Sequence, residues 1–409
     1  MNVFIDGFGI ASYRSFGDEL QLVGPCAQVN ILIGQNNCGK SNIIRYLTDH
    51  YKKLAQAAIA SAGVGYSDLD SHLGVTSGTT RVAFGLRPGS GLQRRILERH
   101  KLHRDDQKQI AAIAERLFKF KELFDADSGV SWFVYTSNPG RQLAFSEELV
   151  EGIVNHRLVN RAGTPDGLES REWELLSRAT TGSSYSSYGA REVQIALPQI
   201  LNALSPAAVK LPNINLIQAV REIKLDESRE DHDYNGINIV KKLASLERPD
   251  AGPGYDDAKA RFEAINRFVV EVTGRSDFRL EVPASANTIL VRQGKTTLPL
   301  EHLGTGIHEV IILAIAATLL ENQIVCIEEP EIHLHPILQK KLIRYLQQTS
   351  NQYFIATHSA ALIDSPEVAT FHVRHDGECS TVRRAVTANE RFAVAADLGY
   401  RASDIVQAN

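Results

Sequence analysis

The segment that most constrains the fold of this chain is a glycine-rich loop near its N-terminus. The sequence VNILIGQNNCGKSNIIRYL contains a complete GxxxxGKS motif between Gly34 and Ser41. Two glycines let the backbone form a nest of N–H donors around a phosphate, while a lysine supplies a mobile positive charge. An apolar strand precedes the loop and a helix follows it. The N-terminus of this helix adds a partial positive charge under the phosphates.

We therefore expect the loop to bind ATP together with Mg²⁺, with Lys40 on the β and γ phosphates and the Ser41 hydroxyl on the metal. The predicted nucleotide contacts are Gly34, Gln35, Asn36, Asn37, Cys38, Gly39, Lys40, Ser41 and Asn42. The face of the following helix that we expect to be buried is formed by Ile43, Leu47, Tyr51 and Leu54.

A second motif, ENQIVCIEEPEIHLHP, supplies acidic residues at the end of a predicted buried strand, 324–327. A carboxylate at the C-terminal edge of a parallel strand lies beside the phosphate loop. We predict that Glu328 holds Mg²⁺ through water, the Walker B role, and that Glu329 polarises the attacking water as a general base. The alternative is a pair of solvated acids that cap a strand, and it is weaker because Lys40 already implies a magnesium partner.

Histidines follow both predicted strands of this region. His358 stands after the apolar strand 353–357, where its imidazole would bond the γ-phosphate or the attacking water, although a histidine at a strand end is also a common structural residue. His333 and His335, with Glu331, suggest a zinc site as an alternative. We favour a turn that leads into a helix beginning at Pro336, since no further ligand is indicated nearby.

The distribution of apolar runs, glycines and charged residues along the chain indicates an α/β body split by an insertion. Residues 1–100 contain short apolar runs separated by glycine and are predicted to form the N-terminal part of the body. Residues 101–290 are more charged and more helical, and we predict a mainly helical insertion or dimerisation arm that partly returns to the sheet. Residues 291–409 alternate strands and helices again and complete the body. The predicted fold class is thus α/β, a mixed sheet flanked by helices with a long helical insertion.

These motifs resemble those of ATP-binding-cassette ATPases of the RecF, SMC and OLD (overcoming-lysogenization-defect) kind. The segment Tyr13–Phe16 resembles their opening strand pair, EEPEIHLHP their joined Walker B and D-loop, and ATHS their H-loop. LPLEHLGTGIHEVIILA resembles their signature segment at the start of a wholly apolar helix, 306–320. The chain departs from the family pattern in having Glu328 where Asp is commoner. Its signature also lacks the usual serine in second place, where Gly304 stands, so Thr305 would have to supply the hydroxyl.

The resemblance implies a head-to-tail homodimer, or a higher oligomer, with ATP between the phosphate loop of one copy and the signature of the other. The signature residues are Leu303, Gly304, Thr305 and Gly306. The helix N-terminus at this point is a second anion site, and the small residues let it approach the γ-phosphate closely. Catalytic roles are then expected for Lys40, Glu329 and His358.

A narrower resemblance is to the ATPase half of OLD-family nucleases. The segments NGINIVKKLASLERP and RFEAINRFVVEVTG and the tail after Asn389 carry it. No Toprim pattern of a glutamate and a DxD follows in this sequence, so we expect no nuclease active site in this chain. The resemblance therefore implies an effector, a Toprim or HNH nuclease or a toxin, supplied in trans or by a further C-terminal domain, as in bacterial anti-phage defence.

Other function classes are constrained by composition. The 44 Lys and Arg against 48 Asp and Glu give a net charge of −4, which excludes a globally basic nucleic-acid binder. The basic segment 87–108 remains a candidate DNA contact, and a DNA-repair or chromosome ATPase of the RecF or SMC type is the alternative function, with a nucleotide-dependent scaffold as a third. The apolar run 310–320 is too short to span a membrane. Four widely spaced cysteines fit a cytoplasmic protein.

Overall fold

The computed structural model describes residues 3–72, 79–100, 104–137, 142–157, 167–182, 190–219 and 239–400. Its strands, in chain order, are β1 (Gly7–Ile10), β2 (Gln21–Val23), β3 (Val29–Ile33), β4 (Thr80–Leu86), β5 (Phe124–Asp125), β6 (Val130–Ser137), β7 (Ala144–Phe145), β8 (Ile214–Ile217), β9 (Phe278–Glu281), β10 (Leu290–Gln293), β11 (Thr296–Pro299), β12 (Ile324–Glu328), β13 (Gln352–Thr357), β14 (Val368–His375) and β15 (Ser380–Arg384).

The α-helices are α1 (Lys40–Arg45), α2 (Lys52–Ala60), α3 (Gly91–Arg99), α4 (Arg104–Phe118), α5 (Glu147–Arg157), α6 (Ser170–Thr181), α7 (Ala190–Leu204), α8 (Ile239–Glu247), α9 (Tyr255–Thr273), α10 (Thr305–Leu319), α11 (Pro336–Gln348) and α12 (Ala388–Asp397). A π-helical turn, Tyr46–Tyr51, joins α1 to α2. None of the helices among the described residues combines the length and the apolar character needed to cross a membrane.

The central sheet has the strand order β15-β14-β3-β13-β12-β8. Its neighbours are parallel except for β15, which runs antiparallel to β14. Strand β3 lies between β13 and β14, so the strand before the phosphate loop is fully buried. Parallel strands buried on both faces are typical of α/β proteins, and the predicted fold class is confirmed.

Two hydrophobic cores cover the two faces of this sheet. Successive residues of β3 alternate between them, since Leu32 belongs to the first core while Ile31 and Ile33 belong to the second. Helix α10 fills the second core together with α9 and α11 through its buried central residues, 309–317, while its first turn is exposed or half-buried. The predicted apolar face after the loop is buried in the first core.

A separate antiparallel sheet, in the order β2-β1-β4-β6-β5 with β7 paired to β6, closes over the first core. Strand β6 comes from the region predicted to be mainly helical, yet it pairs with β4 along its whole length. Its sequence, VSWFVYTS, is rich in β-branched and aromatic residues, which favour strands. Strand β8 from the same region forms one edge of the central sheet. The domain boundaries at residues 100 and 290 stay a prediction.

The N-terminal strand pair is tied to the central sheet by one buried amide, Gln352, which is completely inaccessible to solvent. Its Oε1 accepts hydrogen bonds of 2.9 Å from the main-chain N–H groups of Phe4 and Ile5. Its Nε2 donates to the carbonyl oxygens of Ile5 and Ala27 at 2.8 and 3.1 Å. All four hydrogen-bonding positions of this side chain are therefore used.

Candidate nucleotide-binding site

The phosphate loop has a backbone that requires glycine at both ends of the motif. Gly39 has a φ of +108°, and a Cβ there would lie 2.6 Å from the Ser380 hydroxyl. A Cβ on Gly34 would lie 2.0 Å from the carbonyl oxygen of Val373 in β14. Between them Gln35, Asn36 and Asn37 are exposed, while Cys38 is buried. The loop is thus pressed against β14 and β15, with its solvent side open.

A small network of hydroxyl groups supports the loop on its protein side. The Ser380 Oγ lies 2.7 Å from Ser15 Oγ and 2.8 Å from the carbonyl oxygen of Cys38. The side-chain amide of Asn42 donates to the same Ser15 hydroxyl at 2.8 Å. Ser15 belongs to the Tyr13–Phe16 segment, which forms the turn between β1 and β2, so this turn supports the loop directly.

Lys40 is the first residue of α1 and is only 5% exposed. Its Nζ donates to the carbonyl oxygens of Gly34 and Gln35 at 3.0 and 2.8 Å. It also lies 3.1 Å from Nε2 and 3.3 Å from Nδ1 of His358. Burial lowers the pKa of Lys40 because the charged ammonium loses water, and the nearby groups Cys38 and Glu329 oppose that effect.

Glu329 and His358 meet at the ends of neighbouring strands β12 and β13. The distance between His358 Nε2 and Glu329 Oε1 is 3.0 Å. Burial, followed by the carboxylate of Glu331, raises the pKa of Glu329 to about 8. Burial and the charge of Lys40 lower the pKa of His358. The lowered pKa of His358 and the raised pKa of Glu329 both disfavour an ion pair, so the contact has the character of a neutral hydrogen bond in the nucleotide-free chain.

Glu329 also adopts an uncommon backbone conformation, with a φ of +46°. Its amide donates to the carbonyl oxygen of Ala356 in β13 at 2.8 Å, which continues the strand pairing by one residue. A left-handed conformation in a residue other than glycine costs about 1 kcal/mol or more and is often found at functional sites.

Ser41 and Glu328 provide the oxygen ligands that magnesium prefers. Ser41 is exposed in the first turn of α1, and Glu328 is the last residue of β12, with 9% exposure. Helix α1 packs against β12 and β13, so the two residues lie on elements in contact. Among the described residues there is no group of three or more His, Cys, Asp and Glu that fits a metal. A hydroxyl and one carboxylate suit Mg²⁺, which usually keeps water and phosphate as its remaining ligands.

One of the two histidines considered for zinc, His335, caps a helix in the structure, while His333 is exposed. His335 is the N-cap of α11, and its Nδ1 accepts from the Ile337 amide at 3.4 Å. Helix α11 begins at Pro336, as the sequence predicts. Glu331 directs Oε1 at the main-chain N–H of His358, at 2.5 Å. This acidic side chain is therefore bonded to the loop after β13.

The signature segment, residues 303–306, lies at the start of α10, which begins at Thr305, one residue earlier than predicted. Gly304 is the N-cap, and both Gly304 and Thr305 are exposed. A Cβ on Gly306 would lie 2.5 Å from the carbonyl oxygen of His333. Within one chain this segment, which also contains Leu303, borders the turn after β12. Its predicted contact with the nucleotide of a second copy stays a prediction.

The basic segment is largely occupied by contacts within the chain. Arg87 forms an ion pair with buried Asp6, at 3.3 Å, and Arg95 donates to the carbonyl oxygen of Val3 at 2.7 Å. Residues 101–103 of this segment lie outside the described residues. These contacts favour a structural role for much of the segment.

The sequence did not predict a hydrogen-bonded contact between the phosphate loop and α12. The Gln35 amide donates to the carbonyl oxygen of Asp397 at 2.6 Å. The Asp397 carboxylate lies 2.9 Å from Nε2 of His372 in β14. No sequence signal identifies this contact, because Gln35 and Asp397 are far apart in the chain. The role of Glu331 was also missed, although its spacing of two residues from Glu329 could have indicated it.

Comparisons with known proteins bear on this site. Residues 29–364 match the family described as "AAA domain, putative AbiEii toxin, Type IV TA system". The matched range contains the phosphate loop, the signature segment, both acidic residues and His358. No curated protein matches the sequence.

Similar solved structures are heads of SMC proteins. A SmcHead bound to the C-winged helix domain of ScpA is 12% identical, with a TM-score of 0.45 and coverage of 96% of this chain and 100% of that one. An SMC head domain from Thermotoga maritima is 11% identical, with a TM-score of 0.44 and coverage of 94% and 99%. An Smc head from Pyrococcus furiosus with an extended coiled coil, bound to the C-terminal domain of ScpA, is 12% identical, with a TM-score of 0.41 and coverage of 97% and 99%.

Proposed function

The chain belongs to this family of AAA-domain P-loop proteins, and from that premise we propose that it binds and hydrolyses ATP with Mg²⁺. The observation that carries the proposal is the convergence of Lys40, His358 and Glu329, with 3.0–3.1 Å between neighbouring polar atoms, beside the phosphate loop. These groups come from three elements, α1, the end of β13 and the end of β12. Such a cluster of a cation, an imidazole and an acid at one strand edge suits phosphoryl transfer to water.

The residues divide the chemistry among them. The N–H groups of residues 34–42 cradle the phosphates, and Lys40 exchanges its carbonyl partners for phosphate oxygens. Ser41 and Glu328 would hold Mg²⁺, which neutralises charge on the phosphates when it is bound. Glu329 accepts a proton from the attacking water while the oxygen of that water forms a bond to the γ-phosphorus. The bond from this phosphorus to the oxygen that bridges it to the β-phosphate breaks. His358 orients Glu329 or the γ-phosphate.

We propose that the competent form is a homodimer that encloses ATP. The exposure of Gly304 and Thr305 at the N-terminus of α10 supports this proposal, because a helix N-terminus with free N–H groups attracts phosphate. The loop of each copy would then supply one half of the site, and residues 303–306 of the other copy the second half.

The biological role that fits best is control of a nuclease or toxin effector in the bacterial cytoplasm, as part of anti-phage defence. Support comes from the resemblance to the ATPase half of OLD-family nucleases and from the family description, which names a type IV toxin–antitoxin system. The effector would be a separate protein or a further domain. A DNA-repair or chromosome ATPase is distinguished by hydrolysis that DNA stimulates, with a steep dependence on salt.

ATP binding by the Lys40→Ala variant tests the nucleotide site. We expect the affinity for Mg·ATP to fall by about tenfold or more, since a buried charge-assisted contact is lost. Lys53→Ala, which removes an exposed lysine from the adjacent helix α2, is the matched control and should bind like the wild type. Undiminished ATP binding by Lys40→Ala would remove the proposal.

The dimer is tested separately by size-exclusion chromatography with light scattering in Mg·ATP. Glu329→Gln blocks the general base while keeping its shape, so we expect this variant to accumulate as an ATP-bound dimer. A variant that binds ATP tightly and yet stays monomeric at all protein concentrations would contradict the sandwich arrangement.

A further inference from the structure

The loop after β13 carries His358, and its main chain has to be held by something other than a strand. β13 ends at Thr357, so the amide of His358 lies beyond the pairing with β3 and β12. The Glu331 carboxylate accepts this N–H at 2.5 Å, from a position 27 residues earlier in the chain. A part-buried amide without such a partner would be costly, so this bond fixes the position of the loop.

Glu331 is itself held in a tight turn. Its carbonyl oxygen accepts from the Leu334 amide at 2.8 Å, and the carbonyl oxygen of Glu329 accepts from the Ile332 amide at 3.3 Å. The second carboxylate oxygen of Glu331 is buried, and a hydrogen bond to the Glu331 side chain favours the protonated form of the neighbouring Glu329 carboxyl. The Glu331 carboxylate is thus held between the main-chain N–H of His358 and the carboxyl of Glu329.

A second connection joins the same two segments. The Ser359 hydroxyl donates to Oε1 of buried Gln339 at 2.5 Å, and Nε2 of Gln339 donates to the Leu334 carbonyl oxygen at 2.8 Å. The loop 357–359 is thus connected to the turn 329–334 at two successive residues, His358 and Ser359. Of these two connections only Glu331 acts on His358 itself.

The position of the His358 ring matters because the ring lies within hydrogen-bonding distance of two other groups of the site. Nε2 of His358 is 3.1 Å from the Lys40 ammonium and 3.0 Å from the Glu329 carboxyl. A shift of the His358 main chain by 1 Å would break one or both contacts, and misplacements of that size are costly in active sites.

From these contacts we infer that Glu331 is a positioning residue for ATP hydrolysis, acting through the main-chain N–H of His358 to hold the imidazole between Lys40 and Glu329. The inference rests on the proposed ATPase function and adds to it a residue outside the proposed nucleotide and metal contacts. It also gives the third acid of the EEPE sequence a role other than metal binding.

The kinetic test compares Glu331→Ala with Glu331→Gln in the full chain at pH 9, where Glu329 has lost its proton whether or not the charge of Glu331 is present. Glutamine keeps an oxygen acceptor for the His358 amide, whereas alanine removes it. We expect kcat to fall about tenfold to a hundredfold in Glu331→Ala and no more than about threefold in Glu331→Gln, with KM for ATP changed by less than about threefold in both. An equal loss in the two variants, or a loss confined to KM, would overturn the inference.

A double-mutant cycle with His358→Ala shows whether Glu331 acts through the imidazole. If it does, adding Glu331→Ala to His358→Ala lowers kcat by less than about twofold further, because the positioned group is already gone. A full additional tenfold loss would refute the route through His358.

Amide hydrogen exchange of the nucleotide-free protein gives a readout that does not depend on turnover. Exchange at the His358 amide should become faster by about tenfold or more in Glu331→Ala and stay close to wild type in Glu331→Gln. If the wild type proves inactive, the proposed function fails, while protection of this amide still decides whether Glu331 holds the loop. Unchanged exchange in Glu331→Ala would overturn the inference whatever the activity.

Discussion

Glu329→Gln should stabilise the nucleotide-free protein, and the gain should grow with pH. The carboxyl of Glu329 has a pKa of about 8 in the folded chain against 4.5 for the ordinary side chain, because burial and Glu331 disfavour its charged form. Between these two pH values the folded state keeps a proton that the unfolded state has lost. The free energy of unfolding of the wild type therefore falls as pH rises through this window.

The magnitude follows from the width of the window. Each pH unit costs about 1.4 kcal/mol, so the wild type loses about 2 to 3 kcal/mol from this group between pH 5 and pH 7. Glutamine has no proton to lose, and its side chain is an uncharged isostere of the protonated acid. The difference in the free energy of unfolding between variant and wild type should therefore widen by that amount as pH rises from 5 to 7.

Urea denaturation in the absence of nucleotide and magnesium, repeated at half-unit intervals from pH 5 to pH 8, measures this difference. Glu19→Gln, which removes an exposed carboxylate, is the control and should differ from the wild type by no more than about 0.5 kcal/mol at every pH. A gain for Glu329→Gln that is absent, or that stays constant with pH, would show that the acid is not held protonated in the folded chain. The expected result would mean that Glu329, a residue kept for catalysis, lowers the free energy of unfolding of the nucleotide-free protein.

Three further outcomes are expected. Activity against pH in the wild type should rise towards pH 8, because the proton on Glu329 must leave before it can act as a base, and a rate that is flat between pH 6 and pH 8 would contradict this. Gly306→Ala should lower the melting temperature, since its Cβ would lie 2.5 Å from the His333 carbonyl oxygen, whereas Gly304→Ala, whose Cβ meets nothing within 4 Å, should leave it unchanged. Gln352→Leu removes the partner of three main-chain groups of Phe4 and Ile5, while the Ala27 carbonyl oxygen keeps its bond from Asn30, and it should cost about 2 to 4 kcal/mol in urea denaturation. A loss of less than about 1 kcal/mol would show that water replaces the amide.

Much of the central sheet could be predicted because its strands carry their own signals. Strands β3, β12 and β13 are short apolar runs that end in residues with phosphate or acid–base chemistry, and the structure places them side by side. The start of α11 at Pro336 was equally readable, since proline suits the first turn of a helix. These features depend on residues close together in sequence.

What could not be predicted depends on pairs that are distant in sequence. The pairing of β6 with β4 brings a strand of the insertion beside a strand of the N-terminal region. Neither strand has a sequence pattern that identifies its pairing partner. The support of Gly39 by Ser15 and Ser380 is of the same kind, because a serine has no pattern that identifies its partner. The π-helical turn at Tyr46–Tyr51 was also missed, since its residues keep the apolar spacing of an ordinary helix.

The position of β3 in the central sheet has a consequence for synthesis of the protein. Its partners on both sides, β13 and β14, lie more than 300 residues further along the chain. The motif 34–41 therefore leaves the ribosome more than 300 residues before the strands that flank β3. A nascent polypeptide that ends before β13 would carry the complete motif without either of these two strands.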